Sequence, residues 1–407
     1  MEEVDILKLD NLGRGMSFLN DKPLYIEGAL KDEKVKYEIT RENSKYIEAF
    51  CTEVIDKSSD RTLVKCPFYS LCGGCNIMHL SYPSQLKFKK EKVVALLKKF
   101  ADVNEDVIGD IIPTINEGYR NKVTLKVKEK IGFYKRRSYE IVDIDSCLVA
   151  SSKINEIIRE IKKLRLKNIS EIIIRSTYSG ESLVALIATG KIDIDYFKKN
   201  LKERLDNLVV INDEKETVLF GKGYITEKLN GFYFKVSPLS FFQVNTNGAE
   251  KLYEKVLEYA DLKGGENVLD LYCGTGTIGI YLSSKAKKVT GIEINKYAAA
   301  NAIENSKMNN ISNAEFICGD VGKLAKSFKN VDLVVIDPPR NGLNKNAVEN
   351  VLKISPKKIV YVSCDPATLA RDLNYLKEYY DVKNISMVDM FPNTYHVESI
   401  TVLERKI

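Results

Sequence analysis

The 407-residue chain contains no apolar run near the roughly 18 residues that cross a bilayer, so no membrane is expected as its partner. It shows no internal repeat and no low-complexity linker. Its opening, Met1-Glu2-Glu3-Val4-Asp5, is acidic where a secretory leader is basic, and a cytoplasmic protein is expected. Net charge is only +6, from 62 basic and 56 acidic residues, so the position of the basic residues carries more information than their number. What is present fits soluble globular domains: 44% hydrophobic and 29% charged residues, in a chain too long for one ordinary core and suited to two or three. Eight cysteines in a reducing compartment point to ligands or catalysis rather than to disulfides.

Three apolar runs stop at chemically active residues. Val360-Tyr361-Val362 ends at Ser363-Cys364-Asp365-Pro366, Val331 to Ile336 ends at Asp337-Pro338-Pro339-Arg340, and Asn267 to Leu271 runs into Tyr272-Cys273-Gly274-Thr275-Gly276-Thr277. In an open α/β sheet the carboxyl ends of strands line the ligand cleft, so these ends describe one site. Residues 236–407 alternate strand and helix as a doubly wound sheet does. The stretch from Gly274 to Gly279 contains a formal G-x-G-x-x-G, which raises a dinucleotide site. Asp270 lies inside the strand before it, where a cationic amino-acid tail is welcome and a pyrophosphate is not, and Glu293 ends the next strand, placed for two ribose hydroxyls. S-adenosylmethionine fits both, with Asp320 after the third strand beside the adenine.

A thiol beside a methyl donor suggests a pyrimidine as acceptor. C5 of uracil becomes nucleophilic only after a group adds to C6, and a base must then take the C5 proton so that the thiolate leaves. Phe391-Pro392-Asn393-Thr394-Tyr395-His396-Val397-Glu398 supplies candidates, because the period of a strand puts Thr394, His396 and Glu398 on one face.

The N-terminal half carries other signals. Residues 1 to about 56 read as short alternating strands of an OB-type barrel, a class in which many members bind oligonucleotides. Cys66, Cys72 and Cys75, with Cys147 the next cysteine along, offer four thiolates to zinc or to an iron–sulfur cluster, and spacing does not choose between them. Ser84 to Lys99 reads as an amphipathic helix with a basic face. Arg120 and Lys122, then Phe133, Lys135, Arg136 and Arg137, mix cations with aromatic rings as single-stranded RNA requires. Helix Ile154 to Leu166 and strands Glu171 to Ser176 and Leu183 to Ala188 form an α+β module without evident chemistry.

Five motifs in order, Ser240-Phe241-Phe242-Gln243-Val244-Asn245, Asp270-Leu271-Tyr272-Cys273-Gly274-Thr275-Gly276, Asp337-Pro338-Pro339-Arg340, Ser363-Cys364-Asp365-Pro366 and the Phe-Pro-x-Thr-x-His-x-Glu tail, resemble the RNA uracil-5-methyltransferases. The resemblance implies an α/β class I methyltransferase fold of Rossmann type over 236–407, a TRAM (OB-type) RNA-binding barrel over 1–56 and a central α+β iron–sulfur domain over 57–235. It implies Cys364 as nucleophile, Glu398 as base, and Asp337 facing both donor and uracil. Gln243, Asp270, Tyr272, Gly274, Gly276, Thr277, Glu293, Asp320 and Asp337 would hold S-adenosylmethionine. Arg340 and His396 join the RNA-facing residues. The N-terminal part resembles the 23S ribosomal RNA branch, which implies a structural [4Fe–4S] cluster on Cys66, Cys72, Cys75 and Cys147. The expected partner is 23S ribosomal RNA, with a monomeric enzyme and no protein partner. Transfer RNA is the alternative substrate, and an RNA chaperone with an idle transferase fold is the reading from another class.

Overall fold

Alternation of apolar and polar residues along the first strands builds a six-stranded sheet that fits a barrel, in the computed structural model of the chain. Its strand order is Glu2–Asp5, Lys34–Glu42, Ile47–Asp56, Lys22–Glu27, Gly15–Leu19 and Lys8–Leu9. Leu24, Ile26, Val35, Tyr37, Ile47 and Ala49 form the inward face at every second position. The structure describes residues 2–213 and 215–406; Met1, Glu214 and Ile407 lie outside the described residues.

A seven-stranded sheet follows, in the order Ile141–Asp143, Ile131–Tyr134, Lys122–Val127, Ile169–Ser176, Ser182–Ala188, Asn207–Asn212 and Lys215–Phe220. Helices Ser152–Ile161 and Ile194–Leu201 cover one face through Ile154, Ile157, Ile158, Ile161, Phe197 and Leu201. The other face, through Ile173, Leu183, Ala185 and Val209, joins the core of the hairpin Ile225–Val236 and of helix Thr246–Ala260. The first of these helices ends at Ile161, short of the expected Leu166; Leu164 and Leu166 pack on the same core from the turn beyond it.

The third sheet carries the strand ends singled out above. Five parallel strands run in the order Ala314–Cys318, Lys288–Glu293, Asn267–Leu271, Leu333–Ile336 and Lys358–Ser363. Glu398–Arg405 and Tyr380–Val388 continue the sheet antiparallel. The order reverses between Asn267–Leu271 and Leu333–Ile336, the switch point at which such sheets bind ligands.

Two pieces from before residue 236 complete this layer. Strand Ile108–Ile112 pairs in parallel with Tyr380–Val388, and helix Tyr82–Ala101 packs on helix Pro366–Leu376. The expected basic face of this helix is therefore only partly solvated. Gln85 and Lys89 lie on the stripe with Phe88, Val93, Leu96 and Leu97 that faces the core, and Lys89 is fully buried in an ion pair with Asp389. No helix among the described residues is long and apolar enough to cross a membrane.

Candidate active site

The glycine turn after Asn267–Leu271 is built from left-handed backbone. Tyr272 has φ +64°, Gly274 +55° and Gly276 +80°. Such a conformation at a tyrosine is sparsely populated and costs about 1–3 kcal/mol, which the surrounding fold must impose. A Cβ on Gly276 would come within 2.9 Å of Ala302 Cβ and Phe316, whereas one on Gly274 meets no atom within 4 Å. The turn thus closes against the protein on one side and leaves open space at Gly274 on the other. Glu293 binds this turn directly, accepting the Gly274 N–H at 3.1 Å through Oε2, while Oε1 accepts from Asn295.

Asp270 lies under the turn, fully buried, with no side-chain partner for either carboxylate oxygen and the Gly279 backbone N–H as its neighbour. Burial, with Asp337 nearby, pushes its carboxyl up to about 8. A buried carboxyl is expensive without a cationic partner, and no cation among the described residues faces it. Thr277 opens the following helix and bonds the Tyr253 hydroxyl at 3.0 Å. Asp320 caps the short helix Val321–Leu324 by accepting from Lys323 N–H. Gln243 is half-buried, with its carbonyl accepting from Asn121 Nδ2.

Cys364, Asp337 and Glu398 come together at the ends of three neighbouring strands. Cys364 follows Lys358–Ser363, Asp337 follows Leu333–Ile336, and Glu398 opens the antiparallel strand beside them. Their electrostatics are those of one site. Burial first, then the charges of Glu398 and Asp337, pushes the Cys364 thiol up to about 12, against the opposing pull of Arg340. Burial and Asp337 raise Glu398 to about 8, and burial raises Asp337 to about 7. Arg340 is the cation that faces both Cys364 and Glu398. The loop behind it is pinned by the fully buried Asp372, which accepts from the Leu343 N–H at 2.8 Å and the Tyr361 hydroxyl at 2.7 Å.

The tail before Glu398 departs from the expected strand. Pairing begins only at Glu398; residues 391–397 form turns, with Asn393 at φ +67° after Pro392. Thr394, His396 and Glu398 therefore do not share a strand face. Thr394 turns back to bond Phe391 O at 2.8 Å, and the His396 ring stacks at 4.3 Å from Tyr395. Burial, with Arg340 and two lysines nearby, lowers His396 to about 4, so its imidazole is neutral at physiological pH. Glu398 is the deep group of the pair.

These strand ends invite comparison with known proteins. The sequence pattern of the tRNA (Uracil-5-)-methyltransferase family matches residues 81–406. The chain belongs to this family of RNA uracil-5-methyltransferases. Over 447 aligned residues it is 38% identical to an uncharacterized RNA methyltransferase of Clostridium acetobutylicum, covering 99% of this chain and 96% of the relative. A relative described in the same words from Staphylococcus epidermidis is 33% identical over 98% of this chain and 96% of its own. Among solved structures, the Pyrococcus abyssi tRNA (uracil-54, C5)-methyltransferase in complex with S-adenosyl-L-homocysteine is similar at TM-score 0.81 and 28% identity, covering 99% of this chain and 100% of that one. The chain is thus a methyltransferase of RNA that draws on S-adenosylmethionine.

The methyltransferase has a second concave region, a cleft of about 900 Å³. Cys66, Cys72, Cys75 and Cys147 all line it, with Arg120, Lys122, Phe133, Lys135, Arg136 and Arg137. The four cysteines are free thiols, half-buried; burial first, and then the neighbouring thiols, raises Cys72, Cys75 and Cys147. Among the described residues no three His, Cys, Asp or Glu side chains are arranged around a single ion.

The basic residues divide by task. Arg136 bonds Glu27 and Cys75 O, and Arg137 bonds Glu27 and Glu48, so both are committed to joining the barrel to the cysteine cleft. Lys135 reaches Glu140 at 3.5 Å. Half-buried Arg120 donates to Lys122 O at 2.9 Å. Lys122 is different: half-buried, lowered to about 8 by burial and by Arg175 and Arg120, it has no acidic partner among the described residues. Arg340 is exposed at the other site. The charge count of a stretch does not reveal which of its cations are already paired with distant residues, and here the partners of Arg136 and Arg137 are Glu27 and Glu48 of the first sheet.

Proposed function

We propose that the chain methylates C5 of a uridine in 23S ribosomal RNA. The observation that carries the reaction is the convergence of a thiol, Cys364, with the buried carboxyl of Glu398 and the half-buried carboxyl of Asp337, beside an open glycine turn. Cys364 thiolate forms a bond to uracil C6, and the electrons of the C5–C6 double bond move onto the C4 carbonyl as an enolate. S-adenosylmethionine, when bound, supplies the electrophilic methyl group for C5. Glu398 then takes the C5 proton, and the electron pair left behind restores the double bond and expels the thiolate. Arg340 offsets negative charge at Cys364 during addition. Asp337 faces both donor and uracil.

The donor cradle in this reading is Gln243, Asp270, Tyr272, Gly274, Gly276, Thr277, Glu293, Asp320 and Asp337. Two features support it: the space at Gly274 and the carboxyl of Asp270, which has no side-chain partner. The residues suit a donor that brings a cationic amino-acid end.

The barrel over 1–56 is read as a TRAM-type RNA-binding unit and 57–235 as the cluster domain, with Arg120, Lys122, Phe133, Lys135, Arg340 and His396 on the RNA side and Arg136 and Arg137 joining the barrel to the cysteine cleft. Four thiols on one cleft, flanked by Arg120 and Arg136, suit a [4Fe–4S] cluster held by Cys66, Cys72, Cys75 and Cys147. Four protein thiolates would leave no open iron, so the cluster would contribute to the shape of the cleft rather than to the reaction. Protein purified without oxygen should be brown with about four irons per chain; one zinc and no iron would refute the cluster.

A second reading, with the uridine in transfer RNA, is supported by the name of the Pyrococcus abyssi enzyme, which has the same architecture from end to end. Mapping 5-methyluridine in ribosomal and transfer RNA from cells lacking the gene separates the two. Loss from 23S RNA alone supports the first reading, and loss from transfer RNA alone overturns it.

A further inference from the structure

The turn Asp389–Val397 ends on Glu398; Thr394 and His396 bond within it, and most of its other polar groups bond outside it. Asn393 O accepts the N–H of Asn76 at 3.0 Å and of Ile77 at 3.1 Å, the two residues directly after Cys75. Asn393 N–H donates to Gln85 Oε1 at 2.8 Å, and its Oδ1 accepts from Gln85 Nε2 at 3.2 Å. Its Nδ2 donates to Asn116 O at 2.9 Å. The left-handed φ of +67° suits asparagine and fixes these directions. On either side, Pro392 O accepts from the Tyr119 hydroxyl at 3.0 Å and Phe391 O from Lys89 Nζ at 3.0 Å. Tyr119 itself packs in one apolar cluster with Cys66, Cys75 and Cys147.

Two connections therefore run from the cysteine cleft to the turn. One passes through the amides of Asn76 and Ile77, the other through the Tyr119 ring and hydroxyl. Both end within six residues of Glu398, on a buried segment: Asn393 is 6% exposed and Glu398 5%. A rigid, fully bonded segment holds a catalytic carboxyl in one position, and an error of ~1 Å in such a position costs ~100-fold in rate.

Resting on the reading of Glu398 as the base, we propose that Asn393 is a positioning residue that ties the cysteine loop to the turn carrying Glu398, so that the cysteine loop governs proton removal rather than binding. Gln85 and Tyr119 act through the same junction. The cysteine cleft and the reaction centre are mechanically one unit in this arrangement.

The test compares Asn393→Gly, which keeps the left-handed backbone and removes the two side-chain bonds, and Gln85→Met with Glu398→Gln in the full-length, metal-loaded protein. Single-turnover methyl transfer from S-adenosylmethionine to labelled RNA and the covalent adduct on denaturing gels are read together. Both variants should transfer the methyl within about twofold of wild type and release product at least tenfold more slowly, so that adduct accumulates. A merely structural role would lower the active fraction and slow both steps in proportion, and that outcome overturns the proposal while Glu398→Gln traps adduct. Amide hydrogen exchange supplies a readout independent of activity. Tyr119→Phe and Cys72→Ser should speed exchange at residues 391–397 while the barrel, residues 2–56, stays unchanged. If Glu398→Gln traps nothing, the base assignment has failed and exchange alone decides the link: unchanged protection overturns it, faster exchange supports it.

Discussion

Cys364 should be a slow thiol in the free enzyme. Its pKa is pushed from the ordinary 9.0 to about 12, with burial the largest cause and Glu398 and Asp337 next. At pH 8 the thiolate is then about a thousandfold scarcer than on an unperturbed cysteine. A more basic thiolate is also a better nucleophile, and with a Brønsted slope of about 0.4–0.5 this recovers roughly 15- to 30-fold. The net expectation is thiol–disulfide exchange roughly 30- to 60-fold slower than in a peptide spanning Val360–Thr368. Methyl methanethiosulfonate, small and neutral, followed by peptide mass spectrometry resolves Cys364 from the other seven cysteines. Removing the Arg340 cation with Arg340→Met should slow the reaction further, and Asp337→Asn should speed it, though only in part because burial remains. A Cys364 that reacts as fast as the peptide at pH 8, or that ignores both substitutions, would refute this electrostatic picture.

Three other outcomes are expected. Cys364→Ala should form no protein–RNA adduct, while Glu398→Gln should form it, transfer the methyl and fail to release; release by the wild type should rise with pH through about 8, where Glu398 is half-ionised, and level off above it. Asp270 is raised to about 8 by burial, so the fold holds its proton more tightly than the unfolded chain, and the stability it lends at acid pH drains away between the unfolded value of ~4 and about 8. Asp270→Asn should therefore melt higher than wild type at pH ~9 but not at pH ~5, and bind S-adenosylmethionine more weakly by calorimetry; an equal melting shift at both pH values would contradict the burial argument. Lys89→Met strands the Asp389 carboxyl in the core and should cost about 3–5 kcal/mol, whereas Lys89→Met with Asp389→Leu should recover most of it; denaturant unfolding in which the double variant is no more stable than the single one would show the pair is not isolated.

Much of the catalytic sheet was legible because its strands are buried on both faces. Such strands read as unbroken apolar runs, and the polar residue that stops each run marks the cleft, as Asp337 and Cys364 do. The glycine turn was legible through its spacing. The tail was misread because local alternation over Phe391–Glu398 mimics a strand, whereas the backbone there is held by partners some 270 to 320 residues earlier in the chain, Ile77, Gln85 and Tyr119 among them. Lys89 is marked in the sequence as well: with Gln85 it occupies the apolar stripe of its helix, and a polar residue on such a stripe implies a buried partner. Arg136 and Arg137 looked free for phosphate because nothing local competes for them, and Glu27 and Glu48 are more than 80 residues away.

The edge strand Ile108–Ile112 has a consequence for synthesis. Its partner, Tyr380–Val388, leaves the ribosome about 270 residues later, which at 5–20 residues per second is a wait of roughly 15–50 s. Throughout that interval the strand and the apolar stripe of helix Tyr82–Ala101, Lys89 included, have no sheet to join. The first quarter of the chain must therefore be kept from aggregating by the cell's chaperones, or by the barrel already folded ahead of it. A fragment that starts at residue 236 would emerge with an uncovered sheet edge and an uncovered helix, ready to pair with copies of itself.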